Sequence, residues 1–141
     1  MKTIFPNLNV GHKIIIIVYI VGFLIGGSHH WYDILSKGLL PYHSVPFRFN
    51  LFLTSLAFVD YLAILLLLTT PKFGIKFSAI LMIVDISVDI YLCIAYWDIN
   101  PLTNPGIQWL VIFTLFLLFS AKSLLRAISE IECGMTNAKN H

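Results

Sequence analysis

The chain has 141 residues, 58% of them hydrophobic and only 11% charged, with a formal net charge of +2. So little polar surface cannot cover a soluble globule, which makes the chain an integral membrane protein. A charge this small with no soluble basic face gives nucleic-acid binding no support.

Four apolar stretches follow one another near residues 13–35, 47–70, 75–97 and 106–127. Each holds about 22 to 24 residues and reaches ~33 to 36 Å as a helix, enough to cross a hydrocarbon core of ~30 Å with some tilt. Almost nothing lies outside them. The expectation is an all-α, four-helix membrane bundle, a single transmembrane domain over 1–141 with no soluble catalytic module.

The first span opens on Lys2, Lys13 and the apolar stretch 14–25, followed by Gly26, Gly27 and Ser28, a pattern resembling a signal peptide cleaved after Ser28. Retention is expected instead, because the helical pattern continues through Trp31, Tyr32, Asp33, Ile34 and Leu35. At 100° per residue Gly22, Gly26, His29 and Asp33 share a ~60° arc, so one face passes from glycine to His and Asp. Gly22 and Gly26 have the small-xxx-small spacing that lets a neighbouring helix approach closely. Ser36, Lys37, Gly38, Pro41 and Pro46 then break the helix.

The second span carries Asp60 near its midpoint, with no polar companion on its face, so a partner on another helix is expected. Thr69, Thr70 and Pro71 end this span, and Gly74 is read as opening a short connection to the third. In the third, Ser78, Asp85, Asp89 and Tyr96 lie within ~40° on the projection. The segment 98–106, with Asn100, Pro101, Asn104, Pro105 and Gly106, reads as a turn region. The fourth span offers only Gln108, Thr114 and Ser120, and its apolar run 111–119 reads as lipid-facing or purely structural. Beyond it 121–132 extends the helix, with an Arg126/Glu130 pair at i,i+4 and Gly134 as its terminator.

Seven of the nine basic residues (Lys2, Lys13, Lys72, Lys76, Lys122, Arg126 and Lys139) fall on one side of this topology. Only Lys37 and Arg48 fall on the other. The bias predicts cytoplasmic termini and a fixed orientation. Trp31, Trp97 and Trp109 cluster at the poorly charged ends, as an interfacial aromatic belt does. A multi-pass protein of a bacterial inner membrane is the expected setting. Cys93 and Cys133 fall on opposite sides, so no disulfide is expected.

A carboxylate at bilayer depth costs roughly 2.5 to 3.5 kcal/mol on insertion scales, so Asp60, Asp85 and Asp89 mark a ligand site, relay or pathway. Gathered in a poor dielectric, they cannot all ionise at once. With His29 and Asp33 they predict a polar funnel open to the extracytoplasmic side, His29 and Asp33 forming its mouth. The cytoplasmic halves of spans two and three, 65–68 and 80–81, offer no matching ionisable group, so a through-membrane wire is incomplete in one chain. The donors suited to a metal are His29, Asp33 and Asp89, but no His-x3-His or cysteine cluster supports one. Two histidines at one depth do not supply paired haem ligation. No cofactor is therefore expected. His30, about 100° from His29, is read as facing the interface or another helix.

Acidic and His residues lining a small bundle resemble, in layout, the EXPERA group of sterol-handling membrane proteins, which includes isomerases and ligand-binding members. The likeness carries no individual site residue across. Small multidrug transporters share the size and span number, but their first-span glutamate has no counterpart here.

The expected function is to bind or move a proton, cation or small cationic ligand at Asp60, Asp85, Asp89, His29 and Asp33, with no catalytic residue assigned. Transport would require oligomerisation or large tilting. Two other classes compete: an accessory or immunity-type protein recognising a partner membrane helix, and a membrane enzyme using His29 and an aspartate as acid and base on a lipid-soluble substrate. The expected partners are the lipid bilayer and either a second copy or another membrane protein.

Overall fold

The computed structural model describes residues 8–137, with side chains through Gly134. Four helices follow in order: α1 (Val10–Lys37), α2 (Phe47–Thr69), α3 (Pro71–Ala95) and α4 (Pro105–Asn137). Each is long and apolar enough to cross a membrane. Side chains such as Ile14, Phe58, Ile80, Ile112 and Phe119 are more than half exposed on the outside of the bundle. In water that surface would aggregate, whereas in lipid it is solvated.

The helix ends follow local chemistry. Asn9 caps α1, its Oδ1 accepting from the His12 N–H at 2.8 Å. Gly38, at φ +95°, ends the helix while its N–H reaches the Ile34 carbonyl. Asn104 caps α4, accepting from the N–H groups of Gly106 and Ile107, and Pro105 fills the first helical position.

Two expected boundaries are corrected. Gly74 lies inside α3, which starts at Pro71, so a single residue, Thr70, separates α2 from α3. A Cβ on Gly74 would lie 2.5 to 2.7 Å from the backbone of Leu66 and Leu67; the glycine lets the two helices touch at the turn. Gly134 does not terminate α4, which runs to Asn137. A helical glycine costs only ~1 kcal/mol relative to alanine, too little to stop a helix by itself. Arg126 and Glu130 form no ion pair with each other; an ion pair between elements at this end runs from Lys72 to Glu132 at 2.5 Å.

The helices pack in a ring, α1 on α2, α2 on α3, α3 on α4, and α4 back on α1 along the lightest seam. The half holding the chain ends is filled by Ile16, Tyr19, Leu67, Ile75, Leu117, Leu124 and Ile128. Within it the Tyr19 hydroxyl donates to the Leu117 carbonyl at 2.7 Å, and His12 Nε2 lies 3.2 Å from Ser123 Oγ, so both polar links follow the α1–α4 seam. The opposite half is not filled in this way.

Candidate functional site

A cavity of about 390 Å³ occupies that half of the bundle. Its lining begins at the level of Gly22, Asp60, Met82 and Phe113 and runs toward the end carrying the α1–α2 and α3–α4 connections. All five residues singled out from the sequence, Asp60, Asp85, Asp89, His29 and Asp33, line it. Its remaining walls are mostly apolar or aromatic and include Phe23, Leu53, Trp97, Trp109 and Phe113.

The glycines of α1 admit two of these groups. A Cβ on Gly26 would lie 2.8 Å from Asp60 Oδ2, and one on Gly22 would lie 2.3 Å from the Phe113 ring. Gly26 thus makes room for the carboxyl of α2, and Gly22 for an aromatic ring of α4. Phe113 is therefore buried and lines the cavity, so of the two roles expected for this run, lipid-facing or purely structural, the first does not hold at this position. The ring also meets Phe23 edge-on, with centroids 5.6 Å apart.

Among the described residues the three membrane-depth carboxyls have no hydrogen-bond or ion-pair partner. Asp60, 7% exposed, has no hydrogen bond or ion pair to another described residue; the partner expected on another helix is not there. Asp85 is 9% exposed, and its Oδ1 is buried with nothing to bond. Asp89 is half-buried one helical turn further along α3 and forms no ion pair among the described residues. The basic residues at this end are engaged elsewhere: Lys37 on Asp33 and Arg48 over the ring of Phe49, 4.8 Å from its centroid.

Asp33 behaves differently. Its Oδ1 accepts from Lys37 Nζ at 2.7 Å and its Oδ2 from the Tyr42 hydroxyl at 3.0 Å, while His29 Nε2 is 3.9 Å away. His29 itself has a side chain 74% exposed. Of the expected mouth pair, His29 is thus on the surface, whereas Asp33 is buried in a satisfied network.

That network includes residues the sequence reading did not place in the site. His30, expected to face the interface or another helix, lines the cavity, and its Nδ1 lies 2.9 Å from the Tyr42 oxygen. Tyr42 comes from the α1–α2 connection, whose backbone Asn50 holds: Oδ1 accepts from the Tyr42 N–H at 3.1 Å and Nδ2 donates to the Leu40 carbonyl at 3.1 Å. Trp97 Nε1 donates to Ser44 Oγ at 2.9 Å, joining the same connection to the end of α3. Burial, and then the Asp33 carboxylate beside it, push the Tyr42 phenol well above its ordinary value, so it remains a donor. Tyr96, expected on the acidic face of α3, lies past the helix end and is exposed.

Among the described residues, no three histidine, cysteine or carboxylate side chains converge to hold a metal ion. Cys93 is buried in the cavity wall and Cys133 is exposed. No family model, curated protein or solved structure matches this chain.

Proposed function

We propose that this membrane protein binds a small organic cation in the cavity, with Asp60, Asp85 and Asp89 as the anionic contacts. The observation that carries this reading is the buried, unpartnered Asp85 Oδ1 in a cavity lined by three more carboxyls, of which only Asp33 is ion-paired, and by no lysine or arginine among the described residues. A carboxyl in such a place either stays protonated or meets a cation brought from outside. Apolar and aromatic walls favour a cation with a hydrocarbon body over a hydrated metal ion, and the volume lies at the small end of the ~300 to 1,000 Å³ usual for organic ligands.

In the expected inner-membrane orientation, with cytoplasmic termini, the ligand enters from the extracytoplasmic side. The packed half around Tyr19, Leu117 and Leu124 favours binding over free conduction in this conformation. The test is calorimetric titration of the detergent-purified protein with linear primary alkylamines. Saturable binding that is lost in Asp85→Asn and Asp60→Asn, with both variants still folded, supports the reading; unchanged binding in both overturns it.

A further inference from the structure

The hydrogen bonds around Asp33 place a proton on Nδ1 of a neighbouring imidazole. Lys37 Nζ lies 2.7 Å from Asp33 Oδ1, so that carboxyl is an ionised acceptor with no proton to donate. The Tyr42 phenol has one proton, and it lies on the 3.0 Å bond to Asp33 Oδ2. The 2.9 Å contact between Tyr42 and His30 Nδ1 must then run the other way, with Nδ1–H donating to the phenol oxygen. A neutral imidazole protonated at Nδ1 carries its lone pair on Nε2. Among the described residues nothing donates to that atom, and the ring lines the cavity.

We propose that His30 Nε2 is a second recognition point, an uncharged acceptor that selects ligands bearing a hydrogen-bond donor, such as a hydroxyl, at a distance from their cationic nitrogen. This rests on the cationic-ligand reading and narrows it: the preferred class is amino alcohols or diamines over simple alkylamines. Asp60 and Asp85 hold the charged nitrogen near mid-bundle. His30 lies one turn of α1 beyond Gly26, the residue against which the Asp60 carboxyl packs, so it addresses a part of the ligand nearer the connections. Tyr42 is then a positioning residue, since it sets the imidazole's tautomer and orientation.

The experiment compares linear alkylamines with ω-amino alcohols of matched heavy-atom count, titrated against the purified full chain. At least one amino alcohol is expected to bind about tenfold more tightly than its alkylamine, the upper end of what one neutral hydrogen bond supplies. His30→Leu should erase that preference, read as the ratio of the two affinities within each protein; His30→Gln, which keeps an acceptor, should restore part of it. Tyr42→Phe should reduce the preference with little effect on the alkylamines. If alkylamines bind and depend on Asp85, but no amino alcohol is preferred or the preference survives in His30→Leu, this proposal is wrong and the cationic-ligand reading stands. If neither series binds the wild type, both fall.

Discussion

Asp60 Oδ2 lies 2.8 Å from the position that a Cβ on Gly26 would occupy, so the carboxyl of one helix rests against the bare backbone of another. The conflict in Gly26→Ala is with the end of a flexible side chain, which can rotate away, and alanine regains ~1 kcal/mol of helix propensity. Gly26→Ala should therefore remain folded, within about 1 kcal/mol of wild type, while amine affinity falls because Asp60 is displaced. Gly74→Ala meets rigid backbone of Leu66 and Leu67 and should cost about 3 kcal/mol or more. Unfolding in mixed detergent checks the contrast; equal losses for the two variants would contradict it.

Asp85 sets binding against stability. Its Oδ1 is buried and unbonded, and a polar group in that state costs roughly 1 to 3 kcal/mol. Asp85→Leu removes the burden while keeping a side chain of similar length, so the empty protein should be stabilised by an amount in that range. Ligand binding should disappear in the same variant. A destabilised Asp85→Leu would instead mark the carboxyl as structural glue between helices, the role it would have in a scaffold without a ligand.

The membrane-depth aspartates were legible in the sequence because each violates the polarity of its surroundings, and the α1 projection grouped His29 and Asp33, which both line the cavity although the His29 side chain is largely exposed. His30 was not legible. A helix supplies a cavity with more than one narrow arc, and the neighbour 100° from a chosen face can also line it. Tyr42 lies in irregular backbone, where no period assigns a direction; the buried Asn50 that holds this backbone was the available sign. Phe113 is one apolar residue in a run of them, identified only by the glycine opposite. Gly74 and Gly134 were misread for one reason, that glycine as a helix breaker and glycine as a site of close approach or mere tolerance look alike in one sequence.

Tyr42 ties the connection between α1 and α2 to Asp33, and its titration gives this link a pH signature. The phenol is raised in the folded protein by burial and by the Asp33 carboxylate. The folded state thus holds the proton more tightly than the unfolded chain, whose phenol titrates near ~10. The contribution is fully present below that value and declines as pH rises above it toward the higher folded value. Wild type should lose stability steeply above pH ~10, and Tyr42→Phe less steeply. At neutral pH Tyr42→Phe should cost about 1.5 to 3 kcal/mol, the range for a hydrogen bond to a charged group. Hydrogen exchange of 38–46 should rise with it. Parallel alkaline unfolding curves for the two proteins would count against the link.

The two cysteines report orientation and occupancy in one preparation. Cys133 is exposed near the end of α4, whereas Cys93 is buried in the cavity wall. With the proposed cytoplasmic termini, a membrane-impermeant maleimide should label Cys133 in inverted vesicles and spare it in intact spheroplasts; the reverse pattern would invert the topology and the side of ligand entry. Cys93 should react slowly with a small permeant thiol reagent in Cys133→Ser. Saturating amine should slow it further, because a ligand between Asp89 and Trp97 covers the wall where Cys93 lies. That protection should vanish in Asp85→Asn, since the amine is then no longer retained. Protection persisting in Asp85→Asn would place the amine elsewhere on the bundle, and the carboxyls would lose their assignment.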